Sequence, residues 1–123
     1  MNVQFKKGVL ELLVMAVVAR RDCYGYELVE QISQSIDIAE GTIYPLLRRL
    51  HGEGYFETYL KESGEGPPRK YYRLTAHGRK AYAATRIEWE GFVAGVDEVL
   101  TDGEKSHERK LSARARAAVE TAT

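Results

Sequence analysis

Residues 41–50 read Gly-Thr-Ile-Tyr-Pro-Leu-Leu-Arg-Arg-Leu. Within them Ile43, Leu46, Leu47 and Leu50 recur at the i, i+3, i+4, i+7 spacing of a helix with one buried face. That periodicity turns Gly41, Tyr44, Pro45 and Arg48 outward and leaves Thr42 and Arg49 on the flank. The outward face offers a phenol, a guanidinium and a side-chain-free glycine but no carboxylate. Such a surface suits close approach to a polyanion, with Arg bonding to phosphates or to guanine edges and glycine letting backbone come near. The chemistry is that of a DNA-reading helix. A second basic group, Arg69, Lys70 and Arg73, follows within thirty-odd residues and would supply phosphate contacts. The plain alternative is a solvated surface in which Tyr44 caps a neighbour and the charges of Arg69 and Lys70 blunt an exposed sheet edge. For Tyr44, Arg48, Arg69 and Lys70 the order of segments favours DNA; for Arg49 the two readings balance.

The elements that must position these side chains are legible on either side. Gly52 and Gly54 stop the helix, and Tyr55 to Lys61 has the aromatic and β-branched content of a strand. Ser63 to Pro68 is a turn-rich tip, and Arg69 to Leu74 is a second strand. Tyr71 and Tyr72 alternate across it, so one packs inward. Helix followed by basic hairpin describes a winged helix-turn-helix. Upstream, an almost wholly apolar helix is expected from Phe5 or Gly8 to Arg20, then a break at Arg21 to Gly25. A helix over about Tyr26 to Gln34, with Tyr24, Leu28 and Ile32 as its stripe, precedes the turn. Pro45 fits the first turn if the reading helix begins near Thr42, and forces a kink if it begins near Ala39. The sequence leaves both starts open.

Thr75 is a suitable N-cap for a fourth helix running to about Leu100, with Gly103 ending it. Along it Tyr82, Thr85, Trp89, Phe92, Val96 and Val99 recur at spacings of three and four, the pattern of a helix seam. No later helix is available to cover that seam, which implies a second chain. The expected division is residues 1–74 as a DNA-binding winged helix-turn-helix, 75–103 as a C-terminal dimerisation helix, and 104–123 as a charged tail. The fold class is mainly α with a small β-hairpin.

Composition limits the alternatives. One chain of 123 residues needs no staples to fold, and a single cysteine, Cys23, excludes an intrachain disulfide. Cys23 is expected as a small packed residue rather than a redox sensor. The longest apolar run, Val9 to Ala19, is interrupted by Glu11 and falls short of the roughly 20 residues that cross a bilayer. With no secretory signal at the start, the expectation is a cytoplasmic protein without a membrane partner. His51, His77 and His107 show no metal-ligand spacing, and neither a nucleophile–base motif nor a phosphate loop is present. No metal, cofactor or catalytic residue is therefore expected. The 18 basic and 18 acidic residues cancel. Neutrality supports a second function class, a winged-helix module that binds protein without sequence-specific DNA binding. Distribution favours DNA, because Glu88, Glu90, Asp97, Glu98 and Asp102 gather on the last helix, away from the basic segments.

With these residues in view, the chain resembles the PadR family of bacterial transcriptional regulators, in its short form with one C-terminal helix. The stretches that carry the resemblance are Tyr24-Gly25-Tyr26-Glu27-Leu28, Gly41 to Leu50 with Gly54, and Arg69 to Thr75 leading to Gly78. The resemblance implies a homodimeric DNA-binding repressor whose C-terminal helices pack across a two-fold axis, often controlling detoxification or efflux genes. It also implies an effector role for Trp89, since in some drug-sensing members a matching Trp stacks on flat compounds. The acidic surroundings favour a planar hydrophobic or cationic effector; the simpler assignment of Trp89 is dimer core. Two-fold symmetry predicts a pseudo-palindromic double-stranded operator.

Overall fold

A computed structural model describes residues 3–121, and the side chains of residues 8–102. Helix α1 (Val3–Arg20) leads into a two-residue strand β1 (Cys23–Tyr24), then α2 (Gly25–Ser33), α3 (Glu40–Gly52), β2 (Phe56–Lys61), β3 (Arg69–Leu74) and α4 (Ala76–Thr121). The chain divides into two compact units, Met1–Arg86 and Ile87–Thr123. None of the helices, over the described residues, is long and apolar enough to cross a membrane.

The core of the first unit is what the nearly all-round apolar character of α1 and the apolar periodicity of α3 dictate. Leu10, Val14, Met15 and Val18 of α1 meet Leu28 and Ile32 of α2 and Ile43, Leu46, Leu47 and Leu50 of α3. Phe56, Tyr72 and Leu74 close the cluster from the sheet. Removing one such leucine side chain typically costs about 2–5 kcal/mol. Cys23 lies in this core, where burial pushes its thiol upward and keeps it protonated. It is a packing residue.

The sheet is larger than the expected hairpin. Its order is β1-β3-β2, all antiparallel, because the segment expected as a break pairs Cys23 with Tyr72 and Tyr24 with Tyr71. Glu27 accepts a bond from the Tyr24 N–H at 3.3 Å and so ties the end of this strand to the first turn of α2.

Helix α3 begins at Glu40 with Ala39 as N-cap, which settles the open start in favour of the longer helix. Pro45 is therefore interior, and it removes the N–H that would have bonded to the Gly41 carbonyl. The far end closes in a Schellman motif: Gly54, at φ 83°, donates to the His51 carbonyl, and Tyr55 donates to that of Leu50.

Thr75 caps α4, its Oγ1 accepting from the Gly78 N–H at 2.9 Å while its hydroxyl donates to the Gly54 carbonyl at 2.7 Å. At Gly78 a Cβ would lie 2.2 Å from the Tyr55 carbonyl oxygen, so only glycine permits this approach. The expected stop at Gly103 does not occur, and the helix continues to Thr121. A lone glycine costs a helix only about 1 kcal/mol, and the residues after it are rich in Ala, Glu, Lys and Arg. The side chains of the expected charged tail, 104–123, lie outside the described residues.

Candidate nucleic-acid interface

Strand alternation separates the cations of the wing. Lys70, Tyr72 and Leu74 share one face of β3, and Arg69, Tyr71 and Arg73 share the other. The first face is the one that meets α3, since Tyr72 and Leu74 are buried in the common core. Burial raises the Tyr72 phenol, nearby Tyr44 adds to the rise, and nearby Arg48 opposes it. Tyr44 and Arg48 are thus near enough for their charges to act on Tyr72. The Lys70 Nζ lies 5.7 Å from the Tyr72 ring centroid.

The outward face of α3 matches the spacing argument with two amendments. Gly41, Thr42, Tyr44, Pro45, Arg48 and Arg49 are all exposed, and nothing lies within 4 Å of where a Cβ on Gly41 would stand. Arg48 forms no ion pair among the described residues. The first amendment is Glu40: once it belongs to the helix, the reading face does carry a carboxylate, one turn before Tyr44. The Tyr44 phenol is raised by partial burial and by its charge and hydrogen bond with Glu40.

The second amendment is Arg49. Its Nη2 lies 2.8 Å from Oε2 of Glu11 in α1, and its Nη1 lies 3.0 Å from Oε1 of Glu53. These bonds, that to Glu11 foremost, hold its charge more firmly than in a free arginine. Thr42, Pro45 and Arg49, with Leu10 and Leu46, line a shallow cleft of about 160 Å³ between α3 and α1. These three face α1 rather than the surface shared with the wing, so Pro45 belongs to the flank. Glu11 lies 38 residues from Arg49 in sequence, which is why the pairing left no local signal.

On the reverse face of the sheet Tyr24, Tyr71 and Tyr59 form a row across β1, β3 and β2. Tyr24 and Tyr71 meet edge to face at 5.4 Å, and Tyr59 and Tyr71 stack at 5.6 Å. The Arg69 guanidinium lies 4.6 Å over Tyr24, that of Arg73 4.7 Å over Tyr59, and the Lys61 ammonium 5.3 Å over Tyr71. Asp22 accepts from the Tyr59 hydroxyl at 2.6 Å and from Arg73 Nε at 3.3 Å. Arg73 also reaches Glu57 at 3.4 Å. Arg69 and Lys70, read together in the sequence, therefore stand on opposite faces. The period-two alternation of the strand contained that signal.

Among the expected seam residues of α4, Tyr82 packs against the core of its own unit, and its hydroxyl accepts from Arg86 at 3.1 Å. It therefore already has partners within its own unit. In the second unit Phe92, Val96 and Val99 are exposed, Ile87 and Leu100 are exposed as well, and Trp89 and Phe92 pair with centroids 6.3 Å apart. Thr85 and Trp89 are half-buried. Among the described residues no group of His, Cys, Asp and Glu is arranged to hold a metal ion.

Known proteins resemble this chain in sequence and fold. A protein of Lysinibacillus sphaericus is 35% identical over 99 residues, covering 76% of this chain and 86% of its own. A transcriptional regulator of Mycobacterium tuberculosis is 27% identical over 84 residues, 68% of this chain and 78% of that one. The crystal structure of a PadR-like transcriptional regulator from Bacillus cereus superposes with a TM-score of 0.72 at 35% identity, covering 79% of this chain and 96% of that one. The profile of the transcriptional regulator PadR-like family matches residues 14–84, which span α1 from Val14, the reading helix, the wing and the start of α4. With a winged helix that leaves Tyr44, Arg48 and Lys70 exposed, the chain belongs to the PadR-like family of transcriptional regulators.

Proposed function

We propose that this DNA-binding regulator is a ligand-responsive repressor that binds a pseudo-palindromic operator as a homodimer. Tyr44 and Arg48, with Gly41 allowing close approach, read base edges in the major groove, and Lys70 holds phosphate. The observation that carries the reading is the exposed pair Tyr44 and Arg48 on α3, Arg48 forming no ion pair among the described residues, with Lys70 on the face of β3 that packs toward α3. Dimerisation is supported by the exposed apolar row of α4, Phe92, Val96, Val99 and Leu100, which continues the seam of Thr85 and Trp89. The effector reading rests on the Trp89–Phe92 pair within an acidic stretch, a surface for planar hydrophobic or cationic compounds. Control of detoxification or efflux genes rests on the family resemblance alone. The second reading, a protein-binding winged helix, is favoured by the zero net charge.

Selection of duplexes from a random pool tests the proposal. The expected product is a two-fold site with half-sites about 10 bp apart or a multiple of that, bound with an affinity that falls steeply between about 50 and 200 mM salt. Absence of enrichment, or binding indifferent to salt, overturns the DNA reading in favour of the protein-binding one. Planar aromatic cations should quench Trp89 emission and release the selected duplex together; if neither responds, the effector part falls. A folded monomer in sedimentation at micromolar concentration removes the dimer.

A further inference from the structure

Helix α2 starts at Gly25, and the ring of Tyr44 lies directly on it. A Cβ at position 25 would stand 2.7 Å from Cε1 of Tyr44 and 3.4 Å from both Cζ and the phenolic oxygen. Gly25 is not among the glycines with positive φ, so its backbone conformation asks nothing special of the residue. The ring is what excludes a side chain. At the other end Glu40, one turn earlier, helps burial to raise the Tyr44 phenol. We infer that Gly25 is a positioning residue for DNA recognition: its missing side chain seats the Tyr44 ring and so presets the reading face of α3 before DNA arrives. A side chain held in its working position has already met its ordering cost, which otherwise is subtracted from affinity. The inference rests on the DNA reading proposed above.

Position 25 makes the test clean. It is the first residue of a helix, where alanine is a better helix former than glycine, and the atom in the way belongs to a side chain that can swing outward. Gly25→Ala should therefore keep or raise the melting temperature while displacing Tyr44. Affinities for the selected duplex are measured for the wild type, Gly25→Ala, Tyr44→Ala and the double variant. Gly25→Ala should weaken binding about tenfold, the size of one lost base contact, and relax preference at the same base position as Tyr44→Ala. The double variant should bind like Tyr44→Ala alone, because the two changes remove one interaction. Wild-type affinity in Gly25→Ala, or losses that multiply in the double variant, overturns the inference. A nuclear Overhauser contact between the Gly25 Hα and the Tyr44 ring, present with and without duplex, reads the seating directly even if Gly25→Ala does not fold; its absence overturns the inference. If the wild type has the contact but binds no duplex, the DNA reading fails. If Arg48→Ala weakens binding while Gly25→Ala is silent, only the present inference fails.

Discussion

On the face of the wing that meets α3, Lys70 approaches a buried tyrosine and has no carboxylate within ion-pair distance among the described residues. On the reverse face Arg73 is bound to Asp22 and Glu57, and the Arg69 guanidinium lies over the Tyr24 ring. The same contrast separates neighbours on α3, where Arg48 forms no ion pair among the described residues and Arg49 is held by Glu11 and Glu53. A cation's sequence position says little about its availability. What differs is how closely it is already engaged, by carboxylates for Arg73 and Arg49 and by a ring at 4.6 Å for Arg69 against 5.7 Å for Lys70.

Substitutions along this divide should rank accordingly. Arg48→Ala should have the largest effect, about 1–3 kcal/mol in operator affinity, lost mainly on duplexes carrying the preferred base; equal loss on all duplexes would reassign it to phosphate. Lys70→Ala should weaken every sequence alike and reduce the slope of log affinity against log salt by about 0.9. Arg69→Ala should change that slope less than Lys70→Ala, and a larger change would mean that the wing presents its reverse face to DNA. Arg49→Ala should leave DNA affinity unchanged and lower stability by at most about 1 kcal/mol, since the pair is half-exposed and water screens it. A tenfold loss of binding in that variant would erase the contrast with Arg48.

Where local periodicity governs, the sequence was sufficient. Ile43, Leu46, Leu47 and Leu50 are buried because a helix with that spacing has nowhere else to put them, and the wing strands fall within a residue of their expected ends. Strand β1 was not legible, since two residues have no periodicity and form a strand only when β3 lies alongside. The exposure of the candidate residues was legible, and their sorting between faces less so. Tyr44, Arg48 and Lys70 are exposed, whereas Arg49 and Pro45 also meet α1 and Arg69 lies over Tyr24 of β1, contacts that are distant in sequence. Glu40 was missed because its place on the reading face depends on one turn of helix whose start the Pro45 argument left open. The role of Gly25 has no local signal, as it arises only when α3 folds back over α2.

The closure at Gly78 has a mechanical consequence. The Tyr55 carbonyl already fills the space that a side chain at position 78 would need, and Thr75 ties the same turn to Gly54 just past the end of α3. A hinge needs clearance, and at this junction there is none. The first turn of α4, the entrance to β2 and the end of α3 therefore move as one piece, so a displacement that reaches this turn is passed to the reading helix without slack.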